Sequence, residues 1–135
     1  MGYIVFICGH NAGRSQMAQA IFNHFRKSVK HKAISAGTRP GDHINPSVVL
    51  VMKEIGIDMT NAAEYFPKSI DSLRPKTKEI ERVIVACDNR CEIPFLDIEY
   101  EHWNLPDPHD KTMEEIRRIR DMVKRKVLQL LEQLE

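Results

Sequence analysis

Apolar positions along this chain alternate between short continuous runs and stripes at helical spacing. Tyr3-Ile4-Val5-Phe6-Ile7 is the first run and reads as a short buried strand. Gln16 to Phe25 follows as a helix, with Met17, Ala20, Ile21 and His24 or Phe25 on successive turns, fading between Lys27 and Lys32. Ala33-Ile34-Ser35-Ala36-Gly37 is a second strand, closed by the turn-rich Gly37-Thr38-Arg39-Pro40-Gly41. Asn45-Pro46 then supplies an N-cap and a proline at the first helical position. Val48, Val49, Val51, Met52 and Ile55 make that helix's apolar face, and Gly56 ends it.

A long polar connection runs through Pro67, Leu73 and Pro75 and predicts one or two helical turns, near Pro67 and near Lys76. Arg82-Val83-Ile84-Val85-Ala86 is a third strand, apolar throughout as inside a parallel sheet. Ile98 to Trp103 alternates and predicts a fourth, more exposed strand. Asn104 to Pro108 is a rigid loop, because two prolines fix φ and forbid a helix. From about Thr112 the last helix carries Met113, Ile116, Ile119, Met122 or Val123, Val127, Leu130 and Leu134, with a solvated charged face opposite. Strands alternating with helices imply βαβ units, an α/β fold and a parallel sheet.

Residues 1–135 are expected to form one domain, large enough to bury a core without covalent staples. The 20 basic and 19 acidic residues leave a net charge of +1, so no global field points to nucleic acid or a membrane surface. No apolar run approaches the roughly 20 residues of a membrane span. The N-terminus shows no basic region with a small-residue cleavage site, so no signal peptide is expected. Three cysteines is an odd number, and in a cytoplasmic chain that favours reactive or redox thiols over a static disulfide framework.

The stretch Cys8-Gly9-His10-Asn11-Ala12-Gly13-Arg14-Ser15 lies between the first strand and the first helix. A cysteine ending an apolar strand is most often a small core residue, and an arginine six positions later is by itself a weak signal. Here the pair is joined by two glycines, an Asn that tolerates left-handed backbone and a Ser at the helix entrance. Helix N-termini and consecutive loop amides bind anions, and the same field favours thiolate over thiol at Cys8. The stretch is therefore read as an oxyanion cradle formed by Gly9, His10, Asn11, Ala12, Gly13, Arg14 and Ser15, with Cys8 as nucleophile. Arg14 offers a planar fork to a tetrahedral anion, either phosphate or arsenate.

Attack at the central atom requires an acid to protonate the departing oxygen, and Asp107 in its Pro-Asp-Pro loop is the best candidate. The competing reading of Asp107 is a turn residue or helix cap. Ligands in open α/β sheets sit at the carboxyl ends of the strands, and Cys8, Cys87 and Asp107 each follow a predicted strand. Cys87 and Cys91, four apart, would stand about 5–6 Å apart at Cβ on a rigid helix. The disulfide range is about 3.5–4.5 Å, so oxidation would require the segment to shift. Two inert core cysteines, or a zinc pair, are the alternatives. Cys-x3-Cys with no paired His motif is a poor zinc signature, so no metal site is expected. His10, His102 and His109 read as polar loop residues rather than ligands.

Cys8 to Ala18 strongly resembles the low-molecular-weight protein tyrosine phosphatase fold, and in particular its thioredoxin-coupled arsenate reductases. Ser35-Ala-Gly-Thr38, Asn45-Pro46, Val51-Met52, Gly56-Ile57-Asp58, Cys87 to Cys91 and Trp103 to Pro108 extend the likeness over nearly the whole chain, in the family's order. The resemblance implies a three-layer sandwich with a central four-stranded parallel sheet flanked by helices. It implies that Cys8 attacks arsenate held by the loop and Arg14 while Asp107 protonates the leaving oxygen. Cys87 would then attack Cys8 and release arsenite, and Cys91 would attack Cys87. The Cys87–Cys91 disulfide would pass to thioredoxin or a similar dithiol, with no bound cofactor. Ser15 would steady the thiolate and Asn11 the loop.

Three departures stand out. Some family members bind potassium beneath the loop through a carboxylate where this chain has Gln19. Many family members separate the last two cysteines by six residues, and this chain by three. Phosphatases of this fold usually place an aromatic residue after Asp-Pro, where this chain has His109. The expectation is a cytoplasmic, monomeric arsenate reductase with an oxyanion and a thioredoxin-like protein as partners. The alternatives are a low-molecular-weight phosphatase whose extra cysteines protect Cys8, and an oxyanion-binding or redox-sensing protein that does not turn over.

Overall fold

The computed structural model describes residues 2–87 and 94–135. In chain order it contains β1 (Gly2–Cys8), α1 (Arg14–Phe25), β2 (His31–Gly37), α2 (Pro46–Lys53), a 3-10 helix (Ile70–Glu79), β3 (Ile80–Val85), β4 (Tyr100–His102) and α3 (Met113–Leu134). The four strands form one sheet in the order β2-β1-β3-β4, every neighbouring pair parallel. β1 and β3 are central, which is why their sequences are apolar on both faces. β4 is an edge strand of three residues with Glu101 and His102 exposed, shorter than the alternating run from Ile98 to Trp103 suggested.

Alternation divides the sheet's two faces. Ile4 and Phe6 of β1, Ala33 of β2 and Ile84 of β3 point into a large core with Met17, Ile21 and Phe22 of α1, Val51 and Met52 of α2, and Ile116, Val123 and Val127 of α3. Val5, Ile7, Val83 and Val85 point to the opposite face, covered by Leu73 of the 3-10 helix and by Phe95, Leu96 and Ile98. The layer on that second face is thus a 3-10 helix and a short irregular segment, among the described residues.

α1 is buried nearly all round, from Arg14 to Phe22, because it lies between the sheet and α3. Phe22, fully buried, is a core residue that the helical stripe passed over, while His24 is exposed. In α3 the buried member of the Met122/Val123 pair is Val123. The connection expected to hold separate turns near Pro67 and Lys76 instead carries one 3-10 helix, capped by Ser69, whose hydroxyl accepts from the Asp71 amide, and spanning Pro75. Caps at the other helices follow the sequence: the Asn45 side chain accepts from the Ser47 amide and the Thr112 hydroxyl from the Glu115 amide. No helix among the described residues is long and apolar enough to cross a membrane.

Register fixes the site's position. Ile7 of β1 lies beside Ala36 of β2 and Val85 of β3, and Val85 beside His102 of β4. Cys8, Cys87 and the 104–108 loop therefore leave the sheet along one edge. Backbone bonds continue past the strands, from Ala86 N–H to Ile7 O at 2.7 Å and from Leu105 N–H to Ala86 O at 3.1 Å.

Candidate active site

The loop after β1 is held by what surrounds it. The carbonyls of Gly9, His10 and Ala12 accept from the amides of Arg39, Gly41 and Asn45, each at 2.9 Å. No peptide bond is cis among the described residues, so the amides of His10, Asn11 and Gly13, which follow those carbonyls, point away from the 39–45 loop. A row of donors is thus turned to one side of the loop, the arrangement of an anion nest. α1 begins at Arg14 behind Gly13, and no side chain caps its first turn. That turn leaves its positive end to the same space.

Two glycines are required by close approach. A Cβ on Gly37 would stand 2.5 Å from the Gly9 carbonyl oxygen, so β2 can end against the loop only with glycine there. A Cβ on Gly13 would stand 2.8 Å from Pro108 Cγ, where the loop meets the Asn104–Pro108 segment.

Cys8 is buried at the base of the loop, its sulfur 2.8 Å from Ser15 Oγ. Ser15 Oγ accepts from Asn11 Nδ2 at 2.7 Å, which leaves its own proton available to a Cys8 thiolate. Asn11 is fully buried and sits at φ +52°, in the left-handed region that Asn tolerates. Its Oδ1 accepts from the Lys68 amide at 2.9 Å and lies 3.0 Å from Gln16 Nε2. Gln16 Nε2 is also 3.1 Å from Asn11 O and 2.9 Å from Phe66 O. Gln16 Oε1 is buried with no partner among the described residues. Turning the amide over would set that oxygen against three carbonyl acceptors, a worse arrangement for a buried polar group.

Arg14 donates to the Leu105 carbonyl at 2.9 Å and stands 3.8 Å from Asp107 Oδ2. Asp107 Oδ1 accepts from the His109 amide at 2.9 Å, so Asp107 closes a turn and also faces the loop. The carboxylate that closes the turn is half exposed at 52% and lies on the side of Arg14. Cys8, Arg14 and Asp107 line one cleft of about 700 Å³ together with His10, His43 and His109. Among the described residues no group of three or more His, Cys, Asp or Glu is placed to hold a metal ion.

Cys87, two residues past β3, is buried in the same apolar cluster as Cys8, on the face covered by the 3-10 helix. Cys91 lies outside the described residues. The sequence brought Cys8, Arg14, Asp107 and Cys87 to one edge of the sheet, and there the structure places them. It did not point to Lys68, Phe66 or the 39–45 loop, the outer support of the cradle. The signal for the last was only the turn-rich run after Gly37. Lys68 has no signal, since it meets Asn11 through its backbone amide across 57 positions.

The sequence model of the low molecular weight phosphotyrosine protein phosphatase family matches residues 3–135. A putative arsenate reductase of Halobacterium salinarum is 32% identical over 135 residues, which covers 95% of this chain and 89% of that protein. A solved arsenate reductase in a phosphate-binding state superposes with a TM-score of 0.83 at 27% identity, over 100% of both chains. The thioredoxin-dependent arsenate reductase of Corynebacterium glutamicum superposes with a TM-score of 0.69 at 28% identity, over 100% of this chain and 64% of that one. With the whole sheet, the cradle and the Asp107 loop inside the matched span, this chain belongs to the low molecular weight phosphotyrosine protein phosphatase family.

Proposed function

We propose that this protein is an arsenate reductase that works through a cascade of three thiols and is regenerated by a thioredoxin-like dithiol. Cys8 thiolate attacks the arsenic of an arsenate held by the loop amides and Arg14. An oxygen leaves with a proton from Asp107. Cys87 thiolate then attacks the Cys8 sulfur. The arsenic–sulfur bond breaks with its electron pair going to arsenic, so arsenic(V) becomes arsenic(III) and leaves as arsenite, while a Cys8–Cys87 disulfide forms. Cys91 attacks Cys87 and frees Cys8, and an external dithiol reduces the Cys87–Cys91 bond. Each later step is thiol–disulfide exchange, which depends on thiolate fraction, leaving group and access. An enzyme that must keep three thiols reduced belongs in the cytoplasm.

The observation that carries this reading is a second cysteine, Cys87, buried in the same apolar cluster as Cys8. The catalytic cycle of a phosphatase needs no second thiol, because water would hydrolyse the Cys8 adduct. Support also comes from the names of the relatives, arsenate reductases from an archaeon and several staphylococci at about one-third identity. A second reading, hydrolysis of phosphomonoesters, is favoured by the cleft, whose 700 Å³ exceeds what a bare tetrahedral oxyanion fills.

The deciding experiment mixes the fully reduced protein with arsenate alone and maps disulfides by mass spectrometry. One equivalent of arsenite with a Cys87–Cys91 bond is expected. Rapid hydrolysis of an aryl phosphate, undiminished in a Cys87→Ser, Cys91→Ser double variant that leaves arsenate untouched, would replace this reading with the phosphatase.

A further inference from the structure

The two ends of the Asn11 side-chain amide do opposite things, and the end that meets Ser15 decides where the Ser15 proton goes. With Nδ2 donating to Ser15 Oγ at 2.7 Å, the hydroxyl accepts there and its own proton is left for the Cys8 sulfur at 2.8 Å. With the amide turned over, Oδ1 would take that proton, and a Cys8 thiolate would lose its donor. The choice between the two orientations is made at the far end of the amide.

There Asn11 Oδ1 faces two donors, the Lys68 backbone amide at 2.9 Å and Gln16 Nε2 at 3.0 Å. Of the two, only Gln16 is a donor supplied by a side chain. Gln16 is the third residue of α1 and fully buried. Its Nε2 also lies 3.1 Å from the Asn11 carbonyl and 2.9 Å from the Phe66 carbonyl, so three acceptors converge on one nitrogen. Its Oε1, on the side away from them, has no partner among the described residues, which is a cost to folding. The Gln16 amide is thus held donor-first against Asn11. It grips both carbonyl groups of a residue that stands in the left-handed region at φ +52°.

We propose that Gln16 is a positioning residue for the nucleophile: its side-chain N–H group fixes the direction of the Asn11 amide, and through Ser15 that direction holds a proton toward Cys8. This rests on Cys8 acting as a thiolate in the proposed reaction. Gln16 touches neither the sulfur nor the cleft, so it acts only through Asn11 and Ser15.

The test is the pH profile of Cys8 alkylation by iodoacetamide in the intact, fully reduced protein, read as initial rates on the Cys8-bearing peptide by mass spectrometry. Gln16→Met keeps the length of the side chain and removes the donor. Its profile should move to higher pH by about half a unit to one unit, with a roughly 3- to 10-fold slower rate at the acid end. In a Ser15→Ala background the same substitution should leave the profile where it is, because no hydroxyl remains for Asn11 to direct. Arg14, Lys111, Asp107, Asp110 and the three histidines that line the cleft with Cys8 are common to all the proteins compared. A Gln16→Met profile that overlays wild type, or a shift that survives in the Ser15→Ala background, would overturn the proposal. Should the Met variant not fold, proton–proton contacts in the NMR spectrum of wild type decide. The Asn11 side-chain amide protons are expected against Ser15, and finding them against Gln16 would equally overturn the proposal. Iodoacetamide reads Cys8 without arsenate, so a failure of the reductase reading appears separately, as missing arsenite release.

Discussion

The two faces of the sheet differ in what they hold. One is packed by three α-helices, with Phe6, Met17, Ile21, Phe22 and Val123 fully buried between them. The other is covered by a 3-10 helix and residues 94–98, with Leu73 as its main cap, and it carries both described thiols, Cys8 and Cys87. The helical face buries the larger apolar cluster among the described residues, so that face supplies most of the hydrophobic stabilisation. The thinner face holds both sulfurs in one apolar cluster. A core can be built on one side of a strand while the strand's end serves chemistry on the other.

Substitutions can break that division. The largest effect belongs to the thiols. Cys8→Ser should abolish arsenate turnover, because an alcohol of far higher pKa replaces the thiolate, while urea unfolding stays close to wild type. Cys87→Ser should form the arsenic adduct once and release no arsenite, visible as a stable mass increment on Cys8. Asp107→Asn comes next and should slow adduct formation by about 10²- to 10⁴-fold in rapid-quench measurements. An unchanged rate across pH would remove it as the acid.

On the helical face the loss should be of stability. Phe22→Ala should cost about 3–5 kcal/mol in urea unfolding, with activity per folded molecule retained. Leu73→Ala, on the thinner face, should cost about 2–3 kcal/mol. Equal costs would mean that the two faces contribute alike.

The smallest effect is at the rim of the helical face. Glu54 accepts from Arg117 and Arg120 and joins the end of α2 to α3. The hydrogen bond from Arg117 is the main cause holding its carboxyl below the ordinary 4.5. A group depressed in this way adds stability above its unfolded pKa and loses it as pH falls through the folded one. Wild type should therefore exceed Glu54→Gln modestly at neutral pH, and the gap should narrow as the medium is acidified below about pH 4.5. Urea midpoints at several pH values measure it.

Much of this was readable from local signals. Strand–loop–helix order, two glycines, Asn11 and a cysteine–arginine spacing all fall within eight consecutive residues, so the cradle announces itself without tertiary information. The parallel sheet follows from apolar runs alternating with helical stripes, and the sheet rule gathers Cys8, Cys87 and Asp107 on one edge. Less legible were features set by what packs on what. Phe22 escaped because α1 is buried on nearly every side, so no single stripe describes it. The connection's helical turns were expected near Pro67 and near Lys76, and the bounds escaped because one 3-10 helix, Ile70–Glu79, winds through Pro75.

The sequence by itself determined the parallel α/β architecture and the family and marked Cys8 and Arg14 as the candidate nucleophile and its arginine, since each depends on neighbours in the chain or on period. Only the tertiary structure decided that Asn11 turns its amide on Ser15 because Lys68 and Gln16 occupy its oxygen. It alone put Asp107 across from Arg14 and Gly37 against Gly9. These are contacts between backbone and side-chain groups far apart in the chain, which leave no periodic or compositional trace.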